Sequence, residues 1–415
     1  MANILYLVHR LPYPPNKGDK VRSYHLLRHL AARHRVFLGT FIDDPDDAQH
    51  IDTVRTWCAD LQVARLHPLR ARLASLGGLI TGQALTQRYY HDDDLHTWVA
   101  ATVAGQQIDF AVVFSSSMAQ YAQRWPAVPM LLDLVDVDSA KWRDYAGAHR
   151  WPLSWLYRRE AERLLALERA AVAQSAQSFL VTGKEVELFN RLAPELDGRV
   201  QALGNGVDAD YFSPDPTMPS PYAKDEIPIV FTGAMDYWPN IDAVTWFAQD
   251  ALPLLRQKWP SLRFHIVGRS PTAAVGALAC ASVVVSGTVP DVRPYLQHAA
   301  VVVAPLRLAR GVQNKVLEAM AMSRPVVAAA SCVEAINAQA GEHLLPAHDI
   351  GDYVRLVDAL LRDSARATTL GQAGRARVLA VHSWAAQLAD LDQHIMRTNG
   401  FRSAVHRPAA LAEAA

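Results

Sequence analysis

The sequence predicts an α/β chain of two parallel-sheet domains, and three observations carry that prediction. Apolar runs too short for helices recur at residues 4–8, 36–41, 110–114, 130–134, 227–232, 301–305 and 325–330. Uninterrupted apolar strands are what a parallel sheet covered on both faces demands. The segments between them carry helical spacing or clusters of breakers, the alternation that gives strand–helix–strand units. Finally, Pro214, Pro216, Pro219 and Pro221 mark a linker, after which a strand, a glycine loop and a helix start the same plan again. A chain of 415 residues is long enough for two such cores.

Bulk composition excludes several classes. Lysine plus arginine and aspartate plus glutamate both number 41, and half of the residues are hydrophobic, so neither nucleic-acid binding nor disorder is indicated. Cys58, Cys280 and Cys332 lie far apart without metal-ligand spacing and read as reduced, buried thiols of a cytosolic protein. Residues 4–8 read as a first strand rather than a signal-peptide core, and no run of about 18 apolar residues occurs that would span a bilayer. The expected location is cytoplasmic, with attachment to a membrane surface left open.

In the first half, residues 12–20 form a breaker-rich turn with Gly18 as its hinge, and a helix follows. Asp19 is placed to cap that helix, while Lys20 and Arg22 in its first turn read as solvated. The acids Asp43, Asp44, Asp46 and Asp47 read as a solvated loop, and Asp92, Asp93 and Asp94 as a helix start favoured by negative charge. Asp136 and Asp138 make an Asp-x-Asp, which can chelate a divalent ion. The position of the segment, at the carboxyl end of a strand, instead makes Asp136 a candidate for binding or deprotonating an acceptor. Residues 61–90 and 141–169 interleave arginines with apolar and aromatic residues. They suit an anionic membrane surface, and equally amphipathic helices packed on the sheet with snorkelling arginines.

The most informative stretch, residues 304–330, reads as the loop, helix and strand that follow a buried strand. Its loop sits at the carboxyl edge of a sheet, where doubly wound folds bind ligands. Gly311 lets the backbone approach a ligand, and the amides of Val312, Gln313 and Asn314 open the helix toward an anion, phosphate being the obvious guest. Lys315 and Glu318 share one helix face. They offer a cation for phosphate and an acceptor for hydroxyls, or else form the surface pair of an ordinary crossover helix.

The glycine turn at Gly18, the turn Asn205-Gly206-Val207-Asp208, the run Val267-Gly268-Arg269 and the spacing Gly311-x-x-x-Lys315-x-x-Glu318 come in one order along nearly the whole chain. They resemble the family 4 retaining glycosyltransferases, and among these the sugar transferases of exosortase and exopolysaccharide gene systems. The resemblance implies the GT-B architecture of two facing Rossmann-like domains. Residues 1–205 would form the acceptor-side domain, 206–226 a linker, 227–382 the nucleotide-sugar donor domain, 383–399 a helix returning to the first domain and 400–415 a disordered tail.

In that family one glutamate contacts the sugar and a second, eight residues on, binds the ribose hydroxyls. Glu318 matches the second and Arg310 stands at the first, a departure that points to a different or charged sugar. Family members also present an arginine and a lysine to the diphosphate after the first strand of the donor domain. Gly233 and Asn240 stand there instead, and Arg269 is placed to supply the missing charge. The segment around Val289 corresponds to the one that reads the base through backbone groups.

The implied activity is metal-independent, retaining transfer of a hexosyl group without a cofactor, from a nucleotide-sugar donor to a growing exopolysaccharide or lipid-linked glycan. Asp136, Arg269 and Lys315 would be its catalytic groups. A nucleotide-sugar epimerase of the same fold and a noncatalytic nucleotide-sugar binder are the alternatives. A dinucleotide oxidoreductase is excluded, because Gly-x-Gly-x-x-Gly follows neither first strand.

Overall fold

The structure, a computed structural model, describes residues 1–15, 18–307 and 312–405. The chain divides into two compact units, Met1–Asn205 with Gln387–Ala415, and Gly206–Ala386.

The first unit holds a seven-stranded parallel sheet of β1 (Asn3–Val8), β2 (Arg35–Ile42), β3 (Asp60–Arg65), β4 (Phe110–Phe114), β5 (Met130–Val135), β6 (Gln177–Leu180) and β7 (Val200–Ala202), ordered β3-β2-β1-β4-β5-β6-β7. The apolar runs form its middle: Leu7 of β1 pairs with Val113 of β4, and both are fully buried. The edge strand β3 escapes a search for such runs, because it carries a charge at each end and only Leu61 and Ala64 are buried.

Three expectations are corrected here. Lys20 and Arg22, on the helix Gly18–Ala31, are buried rather than solvated, each 1% exposed. Lys20 donates to both carboxylate oxygens of Asp47 at 2.6 Å, so Asp47 is not part of a solvated loop either. Arg22 forks onto Asp133 at 2.7 and 3.1 Å, and its other nitrogen reaches the Gly204 carbonyl and Asn205 Oδ1. Buried charges need partners, and these partners lie 27 and 111 residues away, beyond any local pattern. The third correction concerns the thiols: Cys332 is buried and Cys58 half-buried, but Cys280 is exposed.

The second unit holds a six-stranded parallel sheet of β8 (Ile227–Thr232), β9 (Leu262–Val267), β10 (Val283–Gly287), β11 (Val301–Ala304), β12 (Val326–Ala329) and β13 (Leu345–Ala347), ordered β10-β9-β8-β11-β12-β13. From β8 the chain winds outward through β9 and β10, then returns beside β8 with β11 and winds the other way. The order therefore reverses between β8 and β11, a topological switch point whose carboxyl edge forms a crevice. The Tyr353 hydroxyl donates to the Ala304 carbonyl at 3.1 Å, pinning the end of β11 at that edge. The chain leaves this unit through the helix Trp384–Val405, whose start is capped by Ser383 Oγ accepting from the Ala386 amide at 3.1 Å.

Candidate functional site

The site grows from the loops at the β8/β11 switch point. Gly233 follows β8 and Gly268 follows β9, with φ of 155° and 153°, a region favouring glycine. A Cβ on Gly268 would lie 1.7 Å from the Gly233 carbonyl oxygen, and one on Gly233 would lie 2.8 Å from Asn240 Nδ2 and 3.3 Å from Lys315 Cε. Side chains at these two positions would fill the space into which the strand ends open.

Asn240 lies within the helix Trp238–Trp246, so it caps no helix. It is buried, and its side chain turns back to donate to the Ala234 carbonyl at 2.8 Å while its Oδ1 accepts from Lys315 Nζ at 2.5 Å. Both ends of the Asn240 amide are thus engaged within the protein, one of them on Lys315. Lys315 also lies over the Phe231 ring, 4.8 Å from its centroid. Among the described residues no carboxylate comes within ion-pair distance of its ammonium. Burial pulls the ammonium down from 10.5 to about 8, against the weaker opposing effects of Cys332 and Glu318.

The helix carrying Lys315 spans Asn314–Ala321, with Gln313 at its N-cap. It opens later than the reading from Val312 would have it. Val316 N–H bonds back to the Gln313 carbonyl at 2.9 Å, and the amides of Asn314 and Lys315 are left without an intrahelical acceptor. Val312 and Gln313 lead into it as half-buried loop residues. Glu318 follows Lys315 on the same face, half-buried, and no hydrogen-bond donor among the described residues reaches its carboxylate. Burial lifts that carboxyl from 4.5 to about 7, with the Lys315 charge working the other way.

Arg269, directly after Gly268, is exposed and pairs with no acid among the described residues; its carbonyl accepts from the Met235 amide at 2.8 Å. Val289 lies beyond the end of β10, half-buried against the core. Arg307 forks onto Asp242. Arg310 and Gly311 lie outside the described residues. Thr232, which sequence reading did not single out, ends β8 immediately before Gly233 with its Oγ1 buried and without a partner among the described residues. A threonine closing a buried strand before a glycine loop was the available signal.

Two expected site residues belong to the first unit. Gly18 opens the helix after β1. Asp136 follows β5 and accepts from Lys141 Nζ at 2.8 Å, and Asp138 shares that ammonium at 3.3 Å. The Asp-x-Asp thus converges on a lysine. Among the described residues no group of three or more histidine, cysteine, aspartate or glutamate side chains converges as a metal site would require.

The arrangement at the β8/β11 edge presents a positioned cation, two helix amides and, one turn on, a carboxyl unpartnered among the described residues. That set can hold an anion at one end and hydroxyls at the other. Residues 226–363 match the family model described as Glycosyl transferases group 1. Among solved structures, the chain is similar to sucrose-phosphate synthase from Thermosynechococcus elongatus, with 19% identity, a TM-score of 0.64 and coverage of 97% of this chain and 100% of that one. It is likewise similar to HepE from Anabaena, solved in complex with UDP, with 13% identity, a TM-score of 0.62 and coverage of 96% and 100%. A glycosyltransferase from Rickettsia africae gives 12% identity, a TM-score of 0.60 and coverage of 95% and 98%. These likenesses show the fold, two Rossmann-like parallel-sheet domains of the GT-B class. No curated protein matches the chain.

Proposed function

We propose that the protein transfers a sugar from a nucleotide-sugar donor to a glycan acceptor, with retention of anomeric configuration and without a metal ion. The observation that carries this reading is Lys315, held by Asn240 at 2.5 Å beside Gly233, without an acidic partner among the described residues and one turn ahead of Glu318. The match of residues 226–363 to the group 1 glycosyltransferases, and the UDP and UDP-glucose bound by HepE, support the donor class.

In this reading the ammonium of Lys315 and the amides of Asn314 and Lys315 stabilise the diphosphate as its bond to the sugar breaks. The Arg269 guanidinium adds charge from the end of β9, and Gly233 admits the phosphates close to the backbone. Glu318 accepts hydrogen bonds from the ribose hydroxyls. Preorganised donors aimed at developing negative charge typically supply about 3 to 4 kcal/mol each. The acceptor hydroxyl attacks the oxocarbenium-like sugar from the face that the diphosphate leaves, its oxygen bonding to the anomeric carbon as the bond to the diphosphate breaks and its proton passing to the departing diphosphate. Val289, Gly18, Arg310 and Gly311 belong to the donor side and Asp136 to the acceptor side, on the family resemblance. The acceptor is a growing exopolysaccharide or lipid-linked glycan.

The test is incubation of the purified protein with nucleotide sugars and a lipid-linked or oligosaccharide acceptor, with NMR assignment of the product anomer, in the presence and absence of EDTA. A product that keeps the donor's configuration and forms in EDTA supports the reading. Inversion, or activity lost in EDTA and restored by manganese, overturns that part of it.

A further inference from the structure

An apolar stripe on the first unit faces water where a helix packed on the sheet would have buried it. Leu69, Leu73, Leu76 and Ile80 recur at intervals of four, three and four, one face of a helix. They lie on the helices Pro68–Ser75 and Gly77–Thr81, and Leu76 between these keeps helical angles (φ −59°, ψ −25°). Leu69, Leu73 and Ile80 are 76%, 70% and 92% exposed. Soluble surfaces carry single exposed leucines freely, but a continuous outward stripe marks an interaction site.

A second exposed group adjoins the first. Trp151 and Trp155, 80% and 55% exposed, lie just before and within the helix Leu153–Gln174. Four residues after Trp155 on that helix, Arg159 donates to the Gly78 carbonyl at 2.5 Å, and Glu160 accepts from the Leu85 and Thr86 amides at 2.7 and 2.8 Å. These bonds dock the segment bearing Ile80 onto the helix bearing Trp155, so leucines and tryptophans belong to neighbouring elements of one surface.

Within residues 61–90 and 145–159 the charge has one sign. Residues 61–90 contain no acid, and Arg65, Arg70 and Arg72 are exposed without an acidic partner among the described residues. Arg150 and Arg158 flank the tryptophans in the same state, while Glu160, the only acid of residues 151–160, turns inward to the backbone amides. We propose that this face docks the protein on an anionic lipid bilayer, the leucines, Ile80 and the tryptophans entering the headgroup boundary while the arginines meet lipid phosphates. No helix among the described residues is long and apolar enough to cross a membrane, so the association is peripheral. The charge pattern favours this occupant over a second copy of the chain, because two copies of a face with exposed arginines and no exposed acid in residues 61–90 repel each other. The proposal uses no residue of the donor site and stands whether or not the chain transfers a sugar.

The test is flotation of the full-length protein with vesicles of phosphatidylcholine alone and of phosphatidylcholine with phosphatidylglycerol, while tryptophan emission is followed. Binding is expected only with the anionic vesicles, with a blue shift of the emission and weakening as salt is raised. Arg70→Glu with Arg72→Glu is expected to weaken binding by roughly thirtyfold or more, since each basic residue near such a surface contributes about 1 kcal/mol. Leu73→Glu with Ile80→Glu is expected to abolish the blue shift. All four positions are exposed, so circular dichroism and Tm should match the parent. Failure to float with either vesicle, or equal binding to both that ignores the variants, overturns the proposal. A dimer in light scattering that Ile80→Glu dissolves overturns it equally, by assigning the face to a second copy.

Discussion

The two units share a doubly wound plan and both place cations near the carboxyl edge of a sheet, yet the cations end in opposite states. In the first unit Lys20 and Arg22 are buried and neutralised by Asp47 and Asp133. In the second, Lys315 is held by a neutral amide and Arg269 is exposed with no acid beside it among the described residues. A cation that the chain neutralises itself reads as structural; the function proposed above keeps Lys315 and Arg269 for an anion from outside. Burial depresses the ammonium of Lys315 and raises the carboxyl of Glu318, and a bound phosphate and ribose would relieve both.

The comparison breaks first at Arg22. Arg22→Ala leaves Asp133 charged and buried and should lower stability by about 3 to 5 kcal/mol in denaturant titration; a loss under 1 kcal/mol would show that the pair is not what locks the first unit. Lys315→Ala should behave inversely, lowering kcat by about two to three orders of magnitude with the unfolding midpoint unchanged or raised. If activity survives in a folded Lys315→Ala protein, the second unit's cation is as structural as the first's.

Glu318→Gln sharpens the contrast. Because burial holds the Glu318 carboxyl up to about 7, its stabilising contribution is present at acid pH and lost as pH rises through 7. Removing the ionisation should raise Tm at pH 8, by about 2 to 4 °C for each kcal/mol regained, while donor affinity falls. A Tm lowered at pH 8 would contradict the assigned burial.

A smaller effect follows from pH alone. Phosphate binds the protonated Lys315, so donor affinity should decline above about 8, where that ammonium loses its proton. It should also decline below about 7, where Glu318 takes one up and becomes a poorer acceptor. Calorimetric titration across this range should give a bell, and a flat profile would count against both assignments. The smallest expected change comes from Arg307→Ala: its pair with Asp242 is exposed on the arginine side and should contribute about 0 to 1 kcal/mol, seen as a near-silent shift in Tm.

Much of the fold was legible because parallel strands buried on both faces leave unbroken apolar runs, as at residues 110–114 and 227–232. The edge strands β3 and β13 were not, for edges tolerate charge at the ends of β3 and Pro346 within β13. In the candidate site, the spacing of Lys315 and Glu318 was readable because a helix period fixes which side chains share a face. The roles of Asn240 and Lys20 were not. Asn240 Oδ1 meets Lys315 from 75 residues away and Lys20 meets Asp47 from 27, and both contacts are set by strand order rather than local pattern. Thr232 escaped notice for a related reason: an unpartnered hydroxyl is a property of packing.

The most direct test of the contrast between the units is thermal unfolding of the parent and of Lys315→Ala against UDP, GDP, dTDP and ADP sugars. A ligand that binds only the folded state raises Tm according to its concentration over its Kd. The account predicts that one base class stabilises the parent and that Lys315→Ala abolishes this shift while Arg22→Ala, though less stable, keeps it. A shift of equal size in Lys315→Ala, or none with any nucleotide sugar in the parent, would contradict the claim that the second unit's cation is reserved for a donor phosphate.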